Sequence, residues 1–204
     1  DVIFGEEGDD ALMGNEGDDW ISGGVGGDGL VGDVGAPTGQ VPLYAGNDVL
    51  DGGAEGDKMT GFSGDDIMLG EGGFDKFIGK LGFDWASYEN SPGGVSVDMD
   101  RREFIPDQQI PAGDAVRDFF VETEATSGSA HDDYIKGSTD IIIVDPVTGA
   151  RVGGAGSVFN ELTNVDLITG LADFFPVGPV FFNTGNILLG GDGSDRIEGR
   201  AGDD

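Results

Sequence analysis

A nine-residue period runs through this chain and restricts its fold more than any other feature. It begins as GEEGDDALM, GNEGDDWIS and GGVGGDGLV, and resumes after a short break as GGAEGDKMT, GFSGDDIML, GEGGFDKFI and GKLGFDWAS. The frame returns as GSAHDDYIK and as GGDGSDRIE. The first position is glycine at 5, 14, 23, 32, 52, 61, 70, 79, 128, 137, 190 and 199. The sixth is aspartate at Asp10, Asp19, Asp28, Asp48, Asp57, Asp66, Asp75, Asp84, Asp133, Asp195 and Asp204. Two places on stands an apolar residue: Leu12, Ile21, Leu30, Leu50, Met59, Met68, Phe77, Ile135, Leu188 and Ile197. A disordered acidic linker has no reason to keep an apolar residue in phase with glycine and aspartate.

The spacing has a physical reading. Six residues with glycine at alternate places can wrap a tight turn through positive φ angles that other residues resist. That turn directs backbone carbonyls and one carboxylate at a common centre. The remaining three residues make a short strand whose inward side chain is the eighth. Two nonapeptides then complete one coil with a turn on each side, so aspartates 18 apart stack on one edge. One edge is expected to carry Asp10, Asp28, Asp57, Asp75 and Asp133, and the other Asp19, Asp48, Asp66 and Asp84.

Composition agrees with a fold not held by a large core. Forty of 204 residues are glycine, and 40 acidic residues face 10 basic ones for a net charge of -30. Aspartate outnumbers glutamate 29 to 11. The shorter acid suits tight turns and close coordination of a hard cation. With no basic patch, nucleic acid and anionic membranes are excluded as partners. No cysteine is present, which removes disulfides and thiolate metal sites and leaves oxygen ligands. No apolar run approaches the roughly 18 residues of a membrane span, so membrane insertion is not expected. Both ends fall inside a repeat, as in a stretch of a longer array.

The repeat resembles the RTX nonapeptide, Gly-Gly-x-Gly-x-Asp-x-apolar-x, a calcium-binding β-helix motif. The resemblance implies an all-β parallel β-roll with calcium between stacked turns. Each ion would take the carbonyls of positions two and four and the aspartate of one turn, with the carbonyls of positions one and three and the aspartate of the next. On one edge this gives Glu6, Gly8 and Asp10 with Gly23, Val25 and Asp28. Gly24, Gly26 and Asp28 follow with Gly52, Ala54 and Asp57, then Gly53, Glu55 and Asp57 with Gly70, Gly72 and Asp75. On the other edge Asn15, Gly17 and Asp19 lead to Gly46 and Asp48, which face Gly61, Ser63 and Asp66. Phe62, Gly64 and Asp66 then face Gly79, Leu81 and Asp84. Asp133 and Asp195 extend the ligand set in the later repeats. Outside the two long breaks the repeats carry 26 acidic and 6 basic residues. Roughly six to nine calcium ions would offset most of that excess. Folding should therefore be coupled to calcium.

The expected organisation is a roll over residues 1–87 with a proline-bearing loop at about 36–45, and a strand-rich spacer over 88–127. A resumed repeat covers 128–137, an apolar insertion 138–184, and further repeats 185–204. The spacer alternates at Val95, Val97 and Met99 and resembles the strand pair that interrupts RTX arrays. The apolar insertion has a candidate helix from Glu161, capped by Asn160, with Leu162, Val165, Ile168 and Leu171 on one face. Phe174, Phe175, Phe181 and Phe182 follow. This implies a small helical, apolar subdomain against the side of the roll. Its sequence is also similar to the RTX regions of large secreted bacterial proteins that carry animal-type haem peroxidase domains.

The carboxylates are already required as metal ligands, and His131 is the only histidine, on the solvent side of a turn. No catalytic constellation, phosphate loop or zinc motif is present, so the chain is not expected to be an enzyme by itself. Two functions follow. The first is a calcium-dependent folding and spacing module of a secreted or cell-surface protein exported by type I secretion. The alternative is an adhesive module whose insertions meet an extracellular ligand or a neighbouring domain of the same chain.

Overall fold

The computed structural model describes residues 1–34, 46–101, 118–139 and 186–200, with 161–162, 167 and 180–181 inside the long insertion. The chain winds as a parallel β-roll between two facing sheets. One sheet stacks β1 (Val2–Glu7), β3 (Trp20–Val25), β5 (Val49–Ala54), β7 (Ile67–Leu69), β9 (Trp85–Ser87), β12 (Ala125–Ser127) and β16 (Ile187–Leu189). The facing sheet stacks β2 (Ala11–Asn15), β4 (Gly29–Asp33), β6 (Lys58–Ser63), β8 (Lys76–Leu81) and β11 (Phe119–Val121). Beyond it come β10 (Ser96–Asp98), β13 (Tyr134–Lys136) and β17 (Arg196–Glu198), joined to β11 by the Phe120 N–H donating to the Arg101 carbonyl at 3.0 Å. All of these pairings are parallel, as a coil that always turns the same way requires.

The register follows the period. Val2 pairs with Trp20, Ala11 with Gly29, Lys58 with Lys76 and Ile67 with Trp85, each 18 residues apart. Trp20 pairs with Val49, a step of 29, because the eleven residues of the short break are added without shifting the coil. The expected loop at about 36–45 lies outside the described residues.

Eighth-position side chains fill the space between the sheets. Ile21, Leu30, Leu50, Met59, Met68, Phe77 and Ile135 are fully buried in one cluster with Val95, Val97, Met99, Tyr88 and Phe120, and Leu12 and Leu188 pack at its margin. Ile197 differs, being 47% exposed in the last described coil. Each repeat contributes one inward side chain, so the core is one residue thick along each strand. A second apolar cluster buries Val49, Ile67, Trp85, Ala125 and Ile187 at strand positions that alternate with that inward row, together with Phe83 from the turn before β9.

Among the described residues of 88–127, the expected strand pair is instead three strands, β10, β11 and β12, which join the roll's own sheets and do not pair with one another. Alternation explains this, since Val95, Val97 and Met99 share one face and meet the same core as Phe77 and Phe120, whose rings stack at 5.3 Å. At the start of the expected helix, Glu161 and Leu162 form β14 (Glu161–Leu162), antiparallel to β15 (Val180–Phe181). Asn160, Val165, Ile168, Leu171, Phe174, Phe175 and Phe182 lie outside the described residues.

Candidate metal centre

Each edge of the roll is a column of turns, and the aspartates are its rungs. The backbone N–H of Asp10 donates to Asp28 Oδ1 at 2.8 Å, that of Asp28 to Asp57 Oδ1 at 2.8 Å, and that of Asp57 to Asp75 Oδ1 at 3.0 Å. On the opposite edge Asp19 donates to Asp48, Asp48 to Asp66 and Asp66 to Asp84, at 2.9, 2.9 and 3.0 Å. The two columns expected from the 18-residue spacing are therefore present from Asp10 to Asp75 and from Asp19 to Asp84.

Oδ1 of Asp28, Asp48, Asp57, Asp66, Asp75 and Asp84 makes the stacking bond, while Asp19 Oδ1 accepts from the N-terminal amine. Oδ2 of Asp10, Asp19, Asp28, Asp48, Asp57, Asp66 and Asp84 is buried without a hydrogen bond. A buried, unpaired anionic oxygen is costly unless a cation meets it. The position-one glycines show where these oxygens point. A Cβ on Gly14 would lie 2.1 Å from Asp19 Oδ2, one on Gly23 2.3 Å from Asp28 Oδ2, and one on Gly61 1.8 Å from Asp66 Oδ2.

Backbone carbonyls converge on the same gaps. A Cβ on Gly5 would meet both Asp10 Oδ2 at 2.7 Å and the Gly23 carbonyl oxygen at 2.6 Å, so the position-one carbonyl of one turn reaches back toward the turn before. Position-two and position-four carbonyls reach forward: Glu6 O and Gly8 O lie 2.2 and 2.3 Å from where Cβ atoms of Gly24 and Gly26 would stand. Gly24 O aims at Gly53, Gly46 O at Gly64 and Gly64 O at Gly82 in the same manner. Position-three carbonyls also face back, but they accept a backbone bond: Val25 O from Gly8 N–H at 2.8 Å and Leu81 O from Gly64 N–H at 2.9 Å. Among the described residues no three His, Cys, Asp or Glu side chains converge at one point. The converging donors are single carboxylate oxygens and carbonyls, a hard-oxygen set of the kind calcium takes.

The glycines divide into two roles, which corrects the expectation that alternate glycines all serve positive φ. Positive φ falls at positions two and four, as in Gly8 (110°), Gly17 (95°), Gly26 (135°) and Gly64 (121°). Position two also tolerates Glu6 (75°), Asn15 (85°), Phe62 (83°) and Lys80 (96°). Position one is glycine for room, since any side chain there occupies the space of the aspartate oxygen. Gly61→Ala should therefore destabilise the calcium-loaded fold by about 1–3 kcal/mol, the usual cost of overpacking, and weaken calcium binding. Paired thermal melts with and without calcium check this: equal melting in calcium would refute the spatial role.

Burial raises the carboxyl pKa values, and the neighbouring carboxylates add to the effect. Asp48 is pushed up to about 7, Asp57 to about 6 and Asp75 to about 8, against the opposing hydrogen bond from the previous rung. Asp66 and Asp84 are pushed up in the same way. Asp33, at position two of the interrupted turn, rises to about 6 through burial and the nearby Asp19. Its Oδ2 accepts from Gly46 N–H at 3.0 Å and its Oδ1 is unpaired.

Asp133 was expected on the edge of Asp75, and between them stands Asp118, which accepts from Asp75 N–H at 2.8 Å. The chain returns after residue 117 to lay Phe119–Val121 beside Lys76–Ile78, which brings Asp118 onto the edge. Asp133 stands further along, its Oδ1 accepting from Val95 N–H at 2.7 Å and its N–H donating to Asp195 Oδ1 at 3.0 Å. Both of its oxygens also accept from Ser129. Sequence reasoning also missed Glu124, whose Oε2 accepts from Asp84 N–H at 2.9 Å and continues the other column. Asp118 is in frame with Gly113 five residues earlier and Phe120 two later, a signal that sequence reasoning passed over, whereas Glu124 has no glycine five residues earlier and the period gives no signal for it. His131 is exposed on its turn.

The model of the RTX calcium-binding nonapeptide repeat (four copies) matches residues 1–38, 44–77 and 182–204. No curated protein and no solved structure matches the chain. The stacked turns, the parallel roll and this match agree: over the matched residues the nonapeptides are RTX calcium-binding repeats.

Proposed function

We propose that the chain is a calcium-locked spacer of a secreted protein, flexible while calcium is scarce and fixed as a roll where calcium is abundant. The observation that carries this is the two aspartate columns, in which Asp28, Asp48, Asp57, Asp66 and Asp84 each accept the N–H of the previous rung on Oδ1 and leave a buried Oδ2 unpaired. Six sites follow from the stacked pairs Asp10/Asp28, Asp28/Asp57, Asp57/Asp75, Asp19/Asp48, Asp48/Asp66 and Asp66/Asp84. Each would be completed by the position-two and position-four carbonyls of one turn and the position-one carbonyl of the next. Position three contributes its second lone pair at most.

Asp133 is the weakest of the expected ligands, because Ser129 already donates to both of its oxygens. The turn of Asp133 and Asp195 therefore lies outside the six. Calcium is preferred over magnesium because a carbonyl-rich gap between flexible turns meets its looser geometry, whereas magnesium holds its waters and demands a stricter octahedron. Release outside the cell fits the same chemistry, since extracellular modules bind calcium at roughly 10⁻⁴ to 10⁻³ M. The apolar insertion over 138–184 is proposed as a subdomain packed on the side of the roll.

Equilibrium dialysis with radioactive calcium tests the assignment. The chain should bind at least the six ions of the stacked pairs, and equimolar magnesium should displace few of them. A chain that binds no calcium, or that exchanges it freely for magnesium, would overturn the reading.

A further inference from the structure

On the edge that carries Asp19, Asp48, Asp66 and Asp84, the repeat stops, yet the column does not. After β11 the six-residue turn is cut to three residues, Glu122, Thr123 and Glu124, before β12 begins. A shortened turn draws the backbone back from the edge, and an aspartate there would fall short of the previous coil. Glutamate is one methylene longer. Its Oε2 accepts the Asp84 N–H at 2.9 Å, the bond that Asp66 Oδ1 makes to Asp48 at 2.9 Å and Asp84 Oδ1 makes to Asp66 at 3.0 Å.

The carbonyl of the regular turn is reproduced as well. Glu122 follows β11 as a position-one glycine follows a repeat strand, and its φ is 51°. A Cβ on Gly79 would lie 2.1 Å from Asp84 Oδ2 and 2.2 Å from the Glu122 carbonyl oxygen, the same pair of donors that Asp10 and Gly23 present at Gly5. That carbonyl accepts one ladder bond, from Lys80 N–H at 3.2 Å, and the Glu122 carboxylate turns outward to Lys80 Nζ at 3.4 Å. Asp84 is fully buried, and its Oδ2 has no hydrogen-bond partner. Glu124 is 3% exposed.

The spacer rung of the other edge differs. There Asp118 Oδ2 accepts the Tyr88 hydroxyl at 2.6 Å, a buried hydrogen bond that occupies the oxygen left unpaired in the regular rungs. No such bond caps Asp84 Oδ2.

We propose that Glu124 and the Glu122 carbonyl complete a further calcium site with Asp84, so that the spacer carries an ion on this edge where the nonapeptide pattern has already stopped. The inference rests on the calcium reading of the regular coils. It makes the spacer part of the calcium-binding array and ties β11 and β12 to the roll by the same ion chemistry.

Crystals of the wild-type chain grown in calcium, measured at a long wavelength where calcium scatters anomalously, test it directly. A peak between Asp84 and Glu124, beside peaks at the regular coils, is expected. Peaks at the regular coils with none at Glu124 would overturn this inference alone, and no peaks at any coil would overturn the calcium reading itself. In solution, Glu124→Gln keeps the acceptor for the Asp84 N–H and removes the charge, and it should bind one calcium fewer per chain at unchanged circular dichroism. A variant that binds as many ions as wild type would also refute the site.

Discussion

In calcium-free buffer at pH 8 the chain is expected to lose most of its β-sheet circular dichroism and to recover it on adding calcium but not equimolar magnesium. The apolar side contributes little: one inward residue per nonapeptide, worth about 1.5–3 kcal/mol each when fully buried. Against it stand the conformational entropy of 40 glycines and two columns of buried carboxylates. Burial, and secondarily the neighbouring acids, hold Asp57 up at about 6, Asp48 at about 7, and Asp75 and Glu124 at about 8. In the unfolded chain the aspartates titrate near 3.8. Between those values the metal-free roll binds more protons than the unfolded chain, so its stability falls as pH rises from about 4 to about 8. Lowering the pH to 5 without calcium should therefore restore part of the sheet signal. Spectra at pH 5 and pH 8, each with and without calcium, check both parts. A native-like spectrum at pH 8 without calcium would show that the core suffices alone.

The roll was legible because its period is written in side chains that do one job each. Gly61, Asp66 and Met68 recur as glycine, aspartate and apolar residue in coil after coil, and each keeps its place in turn, edge and core. The eleven-residue break was harmless for the same reason, since Asp48 still stacks between Asp19 and Asp66. Legibility ended where contacts replace period. Glu124 reaches its column because β12 pairs with β9, with no glycine in frame to announce it, whereas Asp118, placed by the pairing of β11 with β8, keeps Gly113 and Phe120 in frame. The repeat of Asp133 is intact, but the number of coils between it and Asp75 cannot be counted through an irregular segment. Ser129 illustrates a further limit. At position two it looks like a tolerated substitution, yet its hydroxyl reaches Asp133 at 2.9 Å and alters what that carboxylate can still bind. At Glu161 and Leu162 the apolar spacing suited a helix, but a partner strand at Val180–Phe181 decides the local structure.

Asp66→Asn is expected to act with opposite signs in the absence and presence of calcium. Asp66 is completely buried in mid-column, with Asp48 N–H on its Oδ1 and its Oδ2 unpaired. Asparagine keeps an acceptor for Asp48 and removes the charge, so the metal-free roll loses one of its repulsive rungs and should fold more readily. The fold accepts an amide at this kind of position: Asn186, at the end of the same edge, is buried and donates to the Ser138 carbonyl at 3.2 Å. With calcium present, the same substitution weakens both ions that Asp66 is proposed to share, one with Asp48 and one with Asp84. The loaded fold should then melt at a lower temperature than wild type. Sites on the opposite edge, at Asp57 and Asp75, should lose less, because a strand of three residues, roughly 10 Å, separates the columns. Asp66→Ala isolates the remaining contribution, since it also strands the Asp48 N–H at a cost of about 1–3 kcal/mol, and should be the less stable of the two with or without calcium. Melting curves of wild type and both variants in chelator and in saturating calcium decide the matter. If Asn melts below wild type in chelator as well, the buried carboxylates are not what holds the metal-free chain open. If both edges lose ions equally, the two columns are not independent.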